Sequence, residues 1–387
     1  MSKKTRVLFI AGRVSTRNGA FHSLLSNVKE FKNTDIEPIV LIHQHGETEE
    51  ELKNAGIQYR IVRFESCTVP ADEPSRLKGA VKSIINSIQE WKVRKIINEE
   101  NIEIVHINVS TTSIGAKSAL ALGKPLIWHA REFLEEDVNL TYINPKKTKE
   151  LLQKANTMVA ISDAVANHFR TQYQIKRIVT VYNGIYFDSI LPVKRFSKDK
   201  DVTHLAIVGR IVPTKGQLEA IKALRIVREK GMNAVLTVVG DSGNNIYYET
   251  IKEYIQRNNL ESYVFMMSHK GDLHPVWEET DIALVCSTKE GFGRVTAEFM
   301  LNGIPVIGAN TGATPELLEE NRGYLYEYGN EHHLAAQIME AIENTEKTYE
   351  IAKNAQNYAK NNFTSNHCAE EIVNLYRGLV NKSDRRE

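Results

Sequence analysis

Residues 287–317 read STKEGFGRVTAEFMLNGIPVIGANTGATPEL, and the order of apolar, glycine and polar positions in them decides the fold of this half of the chain. The run before them, residues 282–286, is apolar and ends in a polar loop with a Gly-Phe-Gly turn at residues 291–293. A helical stretch follows, then the tight turn Asn302–Gly303, then the short β-branched run at 305–307 and a second polar loop. Strand, glycine loop, helix, turn and strand in that order make a βαβ unit. The amides of residues 291–294 would then lie at a helix N-terminus, where the first N–H groups lack intrahelical acceptors and the dipole is positive. Such a position takes an anion, and phosphate is the obvious one. Glu290 and Glu298 bracket the turn and the start of the helix, and fixed carboxylates beside a phosphate suit a hydroxyl-rich ligand. The combination points to a nucleotide sugar.

Working outward, the same alternation runs the length of the chain. Strand candidates in the first half are 7–10, 38–42, 57–62, 104–107, 125–128, 158–161 and 178–181. In the second half they are 204–208, 234–239, 263–266, 282–286, 305–307 and 324–326. Short apolar runs separated by longer helical stretches predict parallel sheets covered on both faces. Residues 188–201, DSILPVKRFSKDKD, are polar and charged around one proline, the composition of a linker. The expected organisation is a first Rossmann-like domain over 1–187, a linker over 188–202, a second Rossmann-like domain over 203–365, and a C-terminal helix over 366–387 packing back toward the first domain. Doubly wound sheets bind ligands beyond the carboxyl ends of their strands, so the loops of both domains are expected to line one interdomain cleft.

After the strand ending at Val208 comes Gly209-Arg210, with Lys215-Gly216 at the start of the next helix. Two cations on one loop can neutralise a diphosphate leaving group, the work a metal would otherwise do. No Asp-x-Asp pair closes a strand with metal-ligand character, and the acidic run 135–137 reads as solvated. Metal independence and the absence of a cofactor are therefore expected.

These motifs together resemble the retaining nucleotide-sugar glycosyltransferases of family 4, which have the two-domain GT-B architecture. The resemblance rests on Glu290, Gly291, Phe292, Gly293, Glu298, Gly303, Pro305, Val306 and Ile307, with Gly209-Arg210 and Lys215-Gly216. It implies that Arg210 and Lys215 grip the donor pyrophosphate, that Glu290 lies near the donor sugar and that Glu298 holds the ribose. It further implies donor contacts from Gly240, Phe292, Gly293, Arg294 and Thr311, with Gly209 opening the cation loop. In the first domain Asn18-Gly19-Ala20 stands where the family has Gly-Gly-Ala, with the first glycine replaced, so Gly19 is the expected backbone contact. His129, at a strand end, resembles the family histidine that reaches the donor sugar. The implied activity is retaining transfer of a hexosyl group, from a UDP-sugar by preference, to an acceptor hydroxyl. A nucleotide-sugar epimerase and a non-enzymatic nucleotide-sugar sensor are the competing readings.

Composition bounds the rest. A chain of 387 residues with formal net charge +1 is long enough for two α/β domains. Residues 1–185 carry 26 Lys and Arg against 20 Asp and Glu, and the remainder 23 against 28; the basic first half suits an anionic or lipid-linked acceptor. Nothing interleaves basic and aromatic residues in the manner of a nucleic-acid surface. The opening MSKKTRVLFIAG is too short in its apolar run for a signal sequence and reads as the first buried strand. Cys67, Cys286 and Cys368 form neither a disulfide framework nor a zinc motif, so a cytoplasmic protein, peripheral at the inner face of the membrane, is expected. Leu77, Val81, Ile84, Ile88 and Trp91 form a helical stripe among lysines and arginines. That stripe either covers the domain's own sheet, the ordinary outcome, or lies on anionic lipid.

Overall fold

The apolar runs become strands of two separate parallel sheets in the computed structural model, which describes residues 4–13, 19–72, 74–135, 139–187, 189–195, 201–243, 246–268 and 273–383. Residues 14–18, with Asn18 of the first glycine loop, lie outside the described residues, as do residues 136–137 of the acidic run and residues 188 and 196–200 of the expected linker. The chain divides into two compact units, Met1–Tyr186 with Phe363–Glu387, and Phe187–Asn362.

In the first unit the strands are β1 (Thr5–Ile10), β2 (Ile36–Ile42), β3 (Gln58–Ile61), β4 (Thr68–Pro70), β5 (Ile104–Ile107), β6 (Leu126–Ala130), β7 (Leu140–Tyr142), β8 (Thr157–Ala160) and β9 (Ile178–Thr180). Seven of them form one sheet in the order β3-β2-β1-β5-β6-β8-β9. β1 pairs parallel with β2 and β5, so it is central, and its residues 7–10 are fully enclosed. The helix Gly19–Glu30 buries Phe21, Leu24, Leu25 and Val28, the i, i+3, i+4, i+7 face of an amphipathic helix. The last helix, Ser365–Ser383, packs on this unit. Its Tyr376 meets the rings of Phe9, Phe31 and His106, and Ile185 and Thr364 join in a parallel bridge. β4 and β7 form a separate antiparallel ribbon, absent from the strand candidates above.

The helix Arg76–Glu99 departs from the ordinary expectation for its stripe. Ser75 caps it by accepting from the Lys78 amide, as a serine at that position should. Its inward face is Gly79, Val93 and Ile97, with Gly79 close against Ile143. The stripe itself faces outward, with Leu77 78%, Val81 49%, Ile84 60%, Ile88 56% and Trp91 58% exposed. Gly79, Val93 and Ile97, with hydrogen bonds from Lys82 to Thr68 O, from Asn86 to Glu65 O and from the Gly115 amide to Glu90, seat the helix, and the larger apolar residues are left on the opposite side.

The second unit holds β10 (Thr203–Val208), β11 (Ala234–Val239), β12 (Val264–Met267), β13 (Ile282–Val285), β14 (Val306–Ala309) and β15 (Tyr324–Tyr326). Their order is β12-β11-β10-β13-β14-β15, all parallel. Counted within the unit this is the 3-2-1-4-5-6 order of a dinucleotide-binding sheet, whose winding reverses between its first and fourth strands. The reversal falls between β10 and β13, the two strands that lead into the loops carrying Gly209-Arg210 and Ser287. The segment ahead of β10 is packed onto this unit: Leu191 donates its amide to Asn302 Oδ1 at 3.3 Å and accepts from Gln356 at 2.7 Å, and Arg195 pairs with Glu346 at 2.8 Å.

Candidate active site

Four loops meet at the carboxyl edge of the second sheet, and close backbone approaches hold them together. Gly240, after β11, lies so near the β10 loop that a Cβ there would come within 1.9 Å of the Gly209 carbonyl oxygen. Gly216 has φ +70°, and a Cβ on it would fall 2.2 Å from the Cys286 carbonyl oxygen. Only glycine tolerates both that dihedral and that approach. Thr288 donates its amide and its hydroxyl to the Thr214 carbonyl, each at 3.0 Å. Thr311 donates to the Ser287 carbonyl at 2.8 Å, and the Ala313 amide donates to the Glu290 carbonyl at 2.9 Å. The loops after β10, β13 and β14 are thus one hydrogen-bonded rim.

The charged side chains sit on that rim. Lys215 closes the short turn Pro213–Lys215 ahead of the helix Gln217–Glu229, and its Nζ lies 2.5 Å from Glu290 Oε1. The Ser287 hydroxyl donates to the same oxygen at 2.6 Å. Gly293, in the left-handed region, is the N-cap of the helix Arg294–Leu301. One turn in, Arg294 Nε donates to Glu298 Oε1 at 2.9 Å, the i, i+4 geometry of a helical ion pair. Arg210 is exposed beside Gly209, and its carbonyl is held by Gln217 Nε2 at 2.9 Å. The rim therefore presents three cations and two carboxylates at a helix N-terminus. Chemically that set can bind a polyanion through the cations and hydroxyls through the carboxylates.

His129 lies elsewhere, on β6 of the first unit, and is 1% exposed. Arg131 Nη2 donates to its Nδ1 at 3.3 Å, so Nδ1 is an acceptor. His106 Nε2, 3.3 Å from the same atom, is then a donor, and His106 Nδ1 accepts from the Tyr376 hydroxyl at 2.6 Å. This chain of bonds places the His129 proton on Nε2, which is buried without a partner among the described residues. Burial, with Arg131 nearby, holds both imidazoles neutral: His106 is lowered to about 3 and His129 well below its ordinary value. His129 is therefore a fixed neutral N–H donor and not an acid–base group near neutral pH.

Two family profiles cover most of the chain. The one described as Glycosyltransferase Family 4 matches residues 17–188, and the one described as Glycosyl transferases group 1 matches residues 192–358. The chain belongs to glycosyltransferase family 4, with the GT-B fold. Among curated relatives, the capsular polysaccharide biosynthesis glycosyltransferase CapM of Staphylococcus aureus is 27% identical over 59% of this chain and 63% of its own length. The N-acetyl-alpha-D-glucosaminyl L-malate synthase of Bacillus anthracis is 24% identical over 74% of this chain and 77% of its own. The crystal structure of Anabaena HepE in complex with UDP aligns over 97% of this chain and all of that one, with a TM-score of 0.75 at 22% identity.

Within this family 4 enzyme the structure gathers Gly209, Arg210, Lys215, Gly240, Glu290, Gly293, Arg294, Glu298 and Thr311 at one sheet edge. Phe292 is 3% exposed, so its ring serves the core and its backbone is what it can offer a ligand. Gly19 begins the helix Gly19–Glu30 in the other unit, and His129 belongs to that unit as well. The Asn183 side chain accepts from Arg131 Nη1 at 2.6 Å. Arg131 itself went unselected, although it is the hub of this cluster, donating also to Asn108 O and Oδ1 at 2.9 Å each. Its position two residues after a strand-end histidine was the one available signal. Ser287 and Thr288 were likewise passed over, since lone hydroxyls carry no spacing signature.

Proposed function

We propose that the enzyme moves a hexosyl group, with retention, from a nucleoside-diphosphate sugar to an acceptor hydroxyl in cell-surface glycan, glycolipid or glycoconjugate synthesis. The observation that carries this is the rim at the β10–β13 reversal, where Arg210, Lys215 and Arg294 stand beside Glu290, Glu298 and a helix N-terminus. UDP is the favoured nucleotide, supported by structural neighbours of the same fold that hold UDP and UDP-glucose. In this reading Glu298 accepts the ribose hydroxyls, and Glu290 lies by the sugar. The amides near Gly293, with Arg210 and Lys215, take the charge that develops on the departing diphosphate. The bond from the anomeric carbon to the β-phosphate oxygen breaks, and the acceptor oxygen bonds to that carbon on the same face. The hydroxyl proton passes to the departing phosphate oxygen. The two cations supply the positive charge this step needs, so we read the reaction as metal-independent.

His129, as a neutral Nε2–H donor with no partner of its own among the described residues, is suited to a sugar hydroxyl. An unpaired buried donor costs about 1–3 kcal/mol, which a ligand acceptor would recover. The acceptor is taken to be lipid-linked or anionic and to be met by the first unit, peripherally at a membrane.

The test is a screen of EDTA-treated protein against UDP-, GDP-, ADP- and dTDP-sugars, following thermal shift and slow diphosphate release together. One nucleotide class that stabilises the protein and is hydrolysed supports the reading. No shift with any donor overturns it.

A further inference from the structure

The outward stripe of the helix Arg76–Glu99 lies on the first unit, whereas the charged rim belongs to the second. Successive residues on a helix advance by about 100°, so Leu77, Val81, Ile84, Ile88 and Trp91 fall within an arc of about 80°, and Gly79, Val93 and Ile97 lie roughly opposite. The helix thus has two apolar faces, one seated on the first unit and one exposed. The exposed face is about 21 Å long from Leu77 to Trp91, a contiguous patch of the kind that marks a docking site.

Charge selects the occupant. Arg76 and Arg94 line one edge of the stripe, and Lys78 and Lys92 the other; Lys92 also lies 6.0 Å from the Trp91 ring centroid. The acids of the helix do not offset them. Glu90 is turned inward, accepting from the Gly115 amide at 3.0 Å and from the Ser118 hydroxyl, and Glu99 is paired with Lys95 at 3.5 Å. The 4-3-4-3 spacing of the stripe would also suit a coiled-coil seam, but a second copy of this helix would bring cations to cations. An anionic bilayer surface matches both features, taking the aliphatic and indole side chains at its interface and the lysines and arginines at its headgroups. Among the described residues no helix is long and apolar enough to cross a membrane, so the contact is a surface one.

We propose that this face docks the enzyme on anionic lipid. The proposal rests on the membrane-side reading of the acceptor given above. The test is co-sedimentation of the full chain with phosphatidylcholine vesicles containing about a third phosphatidylglycerol, with pure phosphatidylcholine vesicles beside them. The protein is expected to sediment with the anionic vesicles and to be released as salt rises. The double change Ile84→Glu with Ile88→Glu should lower partitioning more than about tenfold; Lys78→Glu with Lys92→Glu should lower it on anionic vesicles alone. All four positions are at the surface, so unchanged thermal unfolding checks that the fold is intact. Failure of the unchanged protein to bind anionic vesicles overturns the proposal, as does equal binding by the isoleucine variant. Light scattering that gives a dimer for the natural chain and a monomer for the isoleucine variant would make the face a self-interface and overturn it too. Donor hydrolysis without vesicles keeps the two readings apart. Lys215→Ala should lose turnover and keep vesicle binding, whereas loss of vesicle binding with turnover intact removes only the docking.

Discussion

Replacing Lys215 with alanine is the most direct challenge to the donor site. The lysine side chain is 27% exposed, and Glu290 lies 2.5 Å from its Nζ. Two unit charges about 4 Å apart interact by about 4 kcal/mol at an effective dielectric of about 20. That is a ceiling for a group this open to water, and solvent screening brings it toward about 3 kcal/mol. Charge accumulates on the diphosphate as the glycosidic bond breaks, so most of this should appear in the transition state and not in ground-state binding. The expected loss is about 10²–10³ in kcat/KM for donor hydrolysis, with Lys215→Arg recovering part of it. An ion pair this accessible contributes at most about 1 kcal/mol to folding, so the melting temperature should move by only about 2–4 °C. The assay is diphosphate release from the donor identified in the nucleotide screen, with unfolding followed on the same preparation. An unchanged kcat/KM refutes the assignment; a collapse in stability would show that Lys215 matters as a strut between loops instead.

Glu298→Gln should weaken free nucleoside diphosphate binding by about 10–100-fold, as expected for loss of a charged acceptor, and an unaltered calorimetric affinity would move the ribose contact elsewhere. Gly240→Ala should drive the β11 loop off the β10 loop, because its Cβ would sit 1.9 Å from the Gly209 carbonyl oxygen. Nucleotide affinity and melting temperature should fall together, and retention of both would mean that the rim is looser than drawn. For His106, the folded pKa of about 3 lies below the ordinary 6.5, so the unfolded chain binds the proton first and stability is lost as pH falls through 6.5. From about pH 7 to about pH 5 this amounts to about 2 kcal/mol. His106→Gln should flatten the pH dependence of denaturant unfolding by that amount, and parallel slopes for variant and natural chain would exclude the buried neutral imidazole.

How far the sequence could be read depended on whether its signals were local. The strand candidates match β-strands because a buried parallel strand must be a short apolar run whatever surrounds it. The ribbon of β4 and β7 was not legible, since its partners are three residues each, Thr68–Pro70 and Leu140–Tyr142, and lie far apart in the chain. The rim residues were legible as a group because each follows a candidate parallel strand, and the carboxyl ends of parallel strands lie along one sheet edge. The cluster of Asn108, Arg131 and Asn183 had no such mark, as nothing in the sequence says that two distant asparagines share one guanidinium. The helix Arg76–Glu99 shows a different limit. Periodicity reveals that Leu77 through Trp91 share a face, but a 3.6-residue period cannot say whether that face turns inward when a glycine, two aliphatics and hydrogen-bonding side chains on the other side seat the helix instead.

The buried cation of the first unit and the paired cations of the second are held in different environments. Arg131 is 8% exposed and is held by amide and carbonyl oxygens and an imidazole, with burial pulling its pKa down to about 10. Its hydrogen bonds go to Asn108, Asn183 and His129, so it is committed to orienting His129, and a ligand phosphate would have to break that set to use it. Arg294 and Lys215 are held differently, each by a carboxylate at the solvent edge. A paired cation at a partly open site is not left without a counter-charge, and in the proposed reading its carboxylate partner would be exchanged for a diphosphate oxygen when the donor binds. On the same reading, exchange would also free Glu290 and Glu298 to accept hydrogen bonds from hydroxyls of the same ligand. In the proposed reading a nucleotide sugar, with phosphates for the cations and hydroxyls for the carboxylates, would satisfy both halves of each pair at once, which neither a bare phosphate nor a neutral sugar would do.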